Sequence, residues 1–206
     1  MKTYTNYQKF LKQIEEVKKL DYKPSLLLHS CCAPCSCYPL LLLKDYFNIT
    51  IYYNNSNIYP QSEFKLRLKT LQEYVNNINQ EYKCNIKIIQ EEYKNEEFNK
   101  ILEKRKDDKE GGYRCYSCYA LRYKQLCEYA ANNNFEYVCS VMTISRQKNE
   151  EMINKILEGY ASKYPSINYL YSNFKKEKGL EKAQQIIKST KMYSQNYCGC
   201  KFSLRD

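Results

Sequence analysis

The chain has no tryptophan, one histidine and few glycines. Because His29 is its only histidine, the sequence excludes zinc sites and acid–base sites that need two imidazole groups. It has five glycines, whereas average composition gives about fourteen in a chain of this length. No glycine follows the first predicted strand, and neither G-x-G-x-x-G nor G-x-x-x-x-G-K-[ST] occurs. Chemistry that depends on ATP or a dinucleotide is therefore not expected.

A leader sequence and a membrane span are also not expected. Residues 25–43 carry no charge, a length close to that of a transmembrane helix. However, Pro34 and Pro39 would interrupt such a helix, and His29 with several serines and cysteines would remain polar in hydrocarbon. Two glutamates lie within residues 1–20, where a signal peptide would be apolar. We therefore expect a cytoplasmic protein.

Positive charge is in excess, with 33 Lys and Arg against 23 Asp and Glu and a formal net charge of +10. Such a surface suits a polyanionic partner such as RNA, because cations release counterions from phosphates on binding. The lysines accompany many asparagines, tyrosines and isoleucines, a composition that AT-rich codon usage produces by itself. Charge alone therefore leaves RNA binding open.

Strand-like and helix-like patterns alternate along the chain, without a repeat or a linker. Short apolar runs typical of buried strands occur at 26–29, 49–53, 86–89, 137–141 and 167–171. Parallel neighbours need crossover connections, so this order predicts one α/β domain over residues 1–206 with a mostly parallel sheet. Within it we expect an amino-terminal helix over 1–20, a helical insertion at about 91–134 and a cysteine-containing tail at about 191–206.

Eleven cysteines must carry the site chemistry. The first group comprises Cys31, Cys32, Cys35 and Cys37, and it precedes a helix predicted over 38–47. It follows the first strand, at the loop where doubly wound sheets bind ligands. In a reducing compartment, closely spaced cysteines are more often metal ligands or catalytic thiols than disulfides.

The second group, Cys115 and Cys118, has the C-x-x-C spacing of a metal-ligand pair and begins a predicted helix. We expect the positive end of the helix and the neighbouring Arg114 to favour thiolates there. A four-thiolate site needs a second pair, for which Cys31 and Cys32 are the natural choice. The spacing of the cysteines alone does not decide between a zinc site and an iron–sulfur cluster, although adjacent cysteines are awkward for a zinc ribbon.

The third group is Cys198-Gly199-Cys200. A disulfide between cysteines two positions apart closes a small strained ring, which is typical of a labile redox couple. A dithiol near a metal site implies electron transfer, which zinc does not perform. Three further cysteines stand alone within apolar patterns and are predicted to be buried core residues: Cys84, Cys127 and Cys139.

Four ordered motifs between about residues 26 and 203 resemble those of the cobalamin-independent epoxyqueuosine reductases, the QueH type. They are LHSCCAPCS at 28–36, RCxxCYxLR at 114–122, FKK at 174–176 and YCGCxFS at 197–203. The resemblance implies a Rossmann-like three-layer α/β fold, similar to the adenine nucleotide alpha-hydrolase-like (HUP) fold. It also implies reduction of epoxyqueuosine, at the wobble position of tRNAs for Tyr, His, Asn and Asp, to queuosine, the last step of queuosine biosynthesis.

The same resemblance implies a set of site residues. The ligands of a 4Fe-4S cluster would be Cys31, Cys32, Cys115 and Cys118. The redox-active pair would be Cys198 and Cys200, with no organic cofactor. The family has Cys or Asp at position 35, so Cys35 would be the ligand of an additional iron. An external low-potential donor such as ferredoxin or flavodoxin would supply electrons.

Basic residues in or near these motifs are candidates for contacts with tRNA phosphates: Arg122, Arg146, Lys175 and Lys176. Tyrosines such as Tyr119 and Tyr197 are candidates for stacking on anticodon bases. The family pattern has proline where this chain has Arg146, which leaves the shape of that loop open.

Two other functions remain as alternatives. One is a non-catalytic zinc-binding or redox-sensing module, which a colourless protein would indicate. The other is a tRNA sulfur transferase on the same fold. The glycine-free first loop counts against the transferase, because thiolation of a base generally needs ATP.

Overall fold

The computed structural model describes residues 4–204, and its centre is a sheet of five parallel strands in the order β3-β2-β1-β4-β5. The strands are β1 (Ser25–His29), β2 (Asn48–Tyr53), β3 (Lys87–Gln90), β4 (Tyr137–Ser140) and β5 (Asn168–Tyr169). Each predicted strand is present, although β5 is much shorter than its apolar run. The predicted α/β fold with a parallel sheet is confirmed.

Helices connect these strands. In the described residues they are α1 (Asn6–Val17), α2 (Ala33–Leu43), α3 (Gln61–Tyr82), α4 (Asn95–Glu103), α5 (Tyr113–Asn132), α6 (Glu150–Ala161) and α7 (Gly179–Thr190). Helix α1 is shorter than predicted because Thr5 and Gln8 form a capping box at its start. Residues 1–3 of that prediction lie outside the described residues. Helices α4 and α5 lie within the predicted insertion.

The prediction for the helix after β1 was wrong at both ends, since α2 begins at Ala33 and ends at Leu43. Pro34 lies in its first turn, where the missing N–H costs nothing. Pro39 lies inside the helix and cannot donate to the carbonyl of Cys35, four residues earlier. The early start places Cys35 and Cys37 on a helix instead of in a loop.

The sheet separates two apolar layers, as a three-layer domain requires. One layer packs α1, α2, α3 and α7, and the other packs α4, α5 and α6. Neighbouring residues of β1 face opposite layers, with Leu26 and Leu28 in the first and Leu27 in the second. The strand order reverses beside β1, so the loop after His29 lies at a topological switch point.

Across residues 4–204, the structure contains no helix with the length and apolarity needed to cross a membrane.

Candidate metal and redox site

The first cysteine group lies at the carboxyl end of β1, where the loop enters α2. The ligand atoms of Cys31, Cys32 and Cys35 are within 4.8 Å of one another, and the first two Sγ atoms are 3.7 Å apart. Cys31 and Cys32 are buried, whereas Cys35 is half-buried. Soft sulfur donors at this spacing are suited to zinc or iron.

Hydrogen bonding among these thiols localises negative charge. The S–H groups of Cys32 and Cys35 bond to Cys31 and hold its pKa well below the usual value, against the effect of burial. The same pairing with Cys31 is the main cause that raises the pKa of Cys32, to about 12. The group therefore favours one thiolate, on Cys31.

Cys37 does not belong to this site. Its S–H points to the carbonyl oxygens of Pro34 and Ala183, at 3.3 and 3.8 Å, and it packs in the layer of α1, α2, α3 and α7. Its residue is wholly buried. Cys37 is therefore a core residue, like Cys127 and Cys139, whose predicted burial is confirmed, whereas Cys84 is only half-buried at the edge of the core.

The second group comes from the first turns of α5. Cys118 is buried and Cys115 is half-buried, and both pack in the apolar layer that holds Cys31 and Cys32. The backbone N–H of Gly111 donates to Sγ of Cys115 at 3.2 Å. The loop before α5 therefore both positions Cys115 and supplies a hydrogen bond to its sulfur.

The expectation that thiolates are favoured at both positions of this group was wrong, because burial outweighs the nearby positive charge. Burial raises the pKa of Cys118 to about 12, and burial also raises the pKa of Cys115. The guanidinium of Arg114 bonds to backbone carbonyls of residues 105, 106 and 108 and lies 5.2 Å from the ring of Phe202. Arg114 thus stabilises the preceding loop, and it lowers the pKa of Cys115 by less than burial raises it.

The third group is held against the start of α3 by a wholly buried arginine. Arg67 donates from Nη1 to the carbonyl of Cys198 at 3.1 Å and from Nη2 to the carbonyl of Tyr197 at 3.3 Å. Its Nε donates to Glu63 at 2.6 Å. These contacts fix the backbone that carries the two carboxyl-terminal thiols.

Gly199 fits this contact because it has no side chain. Its φ is +110°, and an added Cβ would lie 2.9 Å from Nη1 of Arg67 and 3.1 Å from Cγ1 of Ile58. Its carbonyl also accepts from the backbone N–H of Tyr59 at 2.7 Å. Any other residue would be strained here and would also displace the arginine.

The carboxyl-terminal segment reaches the other two cysteine groups. Nε2 of Gln195 donates to Sγ of Cys32 at 3.0 Å. Phe202 packs in the layer that holds Cys31 and Cys118. Burial raises the pKa of Cys118 most, and the charge of Arg122 lowers it. Interactions with Cys198 and Cys200 raise it further. The structure therefore brings the three predicted groups into one region, although only Cys31, Cys32 and Cys35 form a compact cluster.

The sequence patterns did not identify Lys148 as a site residue. Burial lowers the pKa of its amine, but charges on Cys198, Cys31 and Cys35 raise it more, so the net pKa is raised. Lys148 follows β4 at the carboxyl edge of the sheet, and this position could have identified it from the sequence. Its positive charge therefore faces the first and third cysteine groups.

His29 is only partly satisfied at the end of β1. Its Nδ1 is 3.2 Å from Oγ of Ser140, whereas Nε2 is buried without a hydrogen-bond partner among residues 4–204. Burial, followed by the charge of Arg122, lowers its pKa to about 3. The imidazole is therefore neutral.

Two predicted tRNA contacts must be corrected. Arg122 and Tyr119 are only 2% and 5% exposed, so neither reaches solvent to meet a phosphate or a base. Arg146 and Lys176 are exposed, whereas Lys175 is half-buried and donates to the carbonyl of Lys148 at 3.2 Å. Exposed tyrosines do lie near the site, at Tyr59, Tyr113 and Tyr116.

Comparison with known proteins gives a consistent result. A family described as "Epoxyqueuosine reductase QueH" matches residues 26–206. A protein of that name from Staphylococcus aureus is 37% identical over 201 residues, which cover 96% of this chain and 83% of the relative. Its namesake from Acinetobacter baylyi is 36% identical over 192 residues, covering 93% and 85%. The one from Thermotoga maritima is 30% identical over 183 residues, covering 87% and 90%.

Proposed function

The chain belongs to the epoxyqueuosine reductase QueH family, and from that premise we propose that it reduces epoxyqueuosine in tRNA to queuosine. The observation that carries this proposal is the meeting of three cysteine groups at the carboxyl end of β1. Gln195 links the third group to the first, and Arg67 fixes the backbone at Cys198. One region thus holds both the cysteines proposed to bind metal and a pair of thiols.

The donors fit a 4Fe-4S cluster held by Cys31, Cys32, Cys115 and Cys118. All four sulfurs belong to one apolar layer, and the N–H of Gly111 already bonds to one of them. Hydrogen bonds to sulfur and low exposure are features that adjust such clusters. When bound, the cluster would transfer single electrons, and a thiolate-bound iron would act as a Lewis acid toward the epoxide oxygen. Cys35 is the proposed ligand of an additional iron.

The dithiol supplies the atoms and electrons that the reduction needs. Converting an epoxide to an alkene and water takes two electrons and two protons. Cys198 and Cys200 provide both when their thiols become a disulfide, and an external low-potential donor then restores the thiols. Arg67 and Gly199 hold this pair in place, because they fix the backbone between the two cysteines.

We propose that exposed residues around the site bind the tRNA. Arg146 and Lys176, with Lys175 beside them, are suited to phosphate contacts. Tyr113 and Tyr116, at 71% and 46% exposed, flank Cys115 and are suited to stacking on unpaired bases. A reactive centre beside exposed rings fits a single-stranded anticodon loop better than a duplex.

Two measurements test the proposal. Anaerobically purified protein should be brown and contain iron and sulfide, whereas a colourless zinc protein would favour the sensing alternative. In cells without another enzyme for this step, deletion of the gene should replace queuosine with epoxyqueuosine in tRNA, as nucleoside analysis would show. Unchanged tRNA nucleosides in such cells would overturn the proposal.

A further inference from the structure

Arg122 is a buried cation whose hydrogen bonds do not neutralise it. The residue is 2% exposed. Its Nε donates to the carbonyl oxygen of Cys118 at 3.4 Å, and Nη1 donates to Oδ1 of Asn55 at 3.3 Å. Both bonds are long and both acceptors are neutral. They replace part of the lost hydration but leave the positive charge uncompensated.

The contacts of Arg122 connect the two halves of the proposed cluster site. Cys118 is one of the α5 ligands. On the other side, Nδ2 of Asn55 donates to the carbonyl oxygen of Ser30 at 2.8 Å, and Ser30 immediately precedes Cys31. The guanidinium therefore stands between the α5 cysteines and the loop after β1.

No carboxylate pairs with this cation in the described part of the chain. The ion pairs found within 4.0 Å do not include Arg122. By contrast, the other wholly buried arginine, Arg67, has an oxygen of Glu63 at 2.6 Å. A third buried arginine, Arg114, also lacks a carboxylate, but its guanidinium donates to three backbone carbonyls. Arg122 has only two long bonds, so its charge is left for an anion from another source to compensate.

The ionisable groups around Arg122 are mainly sulfurs of the site, those of Cys118, Cys198 and Cys31, together with the hydroxyl of Tyr123. Because an arginine side chain does not lose its proton in proteins, this positive charge is constant at every working pH. The counter-charge available to Arg122 is therefore thiolate sulfur of the site, which is favoured at Cys31.

We propose that Arg122 is the fixed counter-ion of the cysteine site and sets the reduction potential of the group bound there. Each electron that enters adds one negative charge beside the guanidinium, so the reduced form is favoured and no proton transfer at Arg122 is needed. This inference rests on the proposed function, because it requires a redox group at the site. Arg122 thus acts on the bound group through its charge and does not contact tRNA.

The test is a spectroscopic redox titration of anaerobically reconstituted protein, preceded by iron and sulfide analysis. Arg122→Gln removes the charge, and Arg122→Lys retains it. Asn55→Asp leaves the arginine in place but puts a carboxylate of nearly equal size against it. The matched control is Lys124→Gln, which loses the same charge from the exposed face of the same helix.

At the wild-type midpoint potential, Arg122→Gln and Asn55→Asp should lower the reduced-to-oxidised ratio about tenfold, which is ~59 mV for a one-electron couple. Lys124→Gln should leave the ratio within about twofold, because solvent screens exposed charge. Arg122→Lys should likewise remain within about twofold, because it keeps the charge.

Normal cluster loading with an unchanged midpoint in Arg122→Gln and Asn55→Asp would overturn the inference and leave the proposed function intact. If Arg122→Gln does not fold, Asn55→Asp decides alone, and an unchanged midpoint overturns the inference. A wild-type protein that binds no iron and sulfide would overturn both this inference and the proposed function.

Discussion

Arg67 on α3 and Arg122 on α5 are both wholly buried, and each contacts a different part of the cysteine site. On the α3 side, Glu63 pairs with Arg67, whose remaining donors hold the carbonyls of residues 197 and 198. On the α5 side, Arg122 meets only neutral acceptors. A charge that is compensated locally can hold a segment in place, whereas an uncompensated charge acts on the sulfur beside it. Arg67 thus holds one part of the site in place, whereas Arg122 acts on another part through its charge.

The largest effect should follow removal of a proposed ligand on the α5 side. Cys118→Ser should lose iron, sulfide and turnover while the fold remains, because a domain of this size has its own core. Circular dichroism and metal analysis would show both results. Cys127→Ser, another buried cysteine of α5, is the matched control and should keep its iron. Full iron content in Cys118→Ser would remove this residue from the ligand set.

On the α3 side, removal of a thiol should separate metal binding from turnover. Cys198→Ala and Cys200→Ala should retain the cluster but lose turnover, because the dithiol supplies two electrons and two protons. Iron analysis and conversion of epoxyqueuosine in tRNA are measured together. Cys84→Ala should behave as wild type. Loss of iron from both tail variants would show that these cysteines bind metal.

Removal of the local counter-charge of Arg67 should weaken the α3 side and shift the potential in the direction opposite to loss of Arg122. Glu63→Gln leaves Arg67 buried without a carboxylate, so we expect a loss of about 3 kcal/mol in unfolding free energy. Turnover should fall roughly tenfold or more, because the dithiol is less well placed. The midpoint potential should rise, opposite to that of Arg122→Gln, because Arg67 without its carboxylate acts on the sulfurs of Cys31 and Cys32. A fall in the midpoint potential of Glu63→Gln like that of Arg122→Gln would contradict the comparison of the two regions.

The close contact at Gly199 predicts a smaller effect. Gly199→Ala should lower stability by roughly 1–3 kcal/mol, because alanine at positive φ is strained and its Cβ approaches Arg67. Gly159, inside α6, has nothing within 4 Å of an added Cβ. Gly159→Ala should therefore stabilise the protein by roughly 0.5–1 kcal/mol. Unfolding in denaturant measures both free energies. Equal changes in Gly199→Ala and Gly159→Ala would show that the contact at Gly199 does not contribute to stability.

The smallest effects are expected at the surface, away from both arginines. Arg146→Gln and Lys176→Gln should each weaken tRNA binding and reduce the slope of log affinity against log salt by about one, as loss of a phosphate contact requires. Lys87→Gln, at the opposite edge of the sheet, should leave the slope unchanged. Filter binding across a salt series measures this. Salt-insensitive binding in the wild type would contradict a phosphate-based interface.

Much of the fold was predictable because buried parallel strands appear as short apolar runs. The start of α2 was missed because Pro34 and the cysteines resemble a loop, although proline is tolerated in the first turn. Helix α7 was not predicted. It follows Lys178 in the left-handed conformation, without a capping side chain, so it lacks the usual start signal.

The site was predictable only as cysteine groups. The switch-point rule located the first group, but the contacts that join the groups connect residues far apart in the chain, such as Arg67 with Cys198. Arg122 was wrongly expected to contact phosphate, although it lies three residues after Tyr119 and four before Leu126, on the apolar face of α5. Burial, which depends on packing of the whole domain, determines its role.

The most direct test is a single-turnover reaction under anaerobic conditions. Reduced wild-type protein with its cluster bound is mixed with tRNA that carries epoxyqueuosine, in the absence of any donor, and the tRNA nucleosides are then analysed. We expect about one queuosine per chain for the wild type, and none for Cys198→Ala or Cys200→Ala with equal iron content. Queuosine formed by either variant in the same amount and at the same rate as by wild type would contradict it.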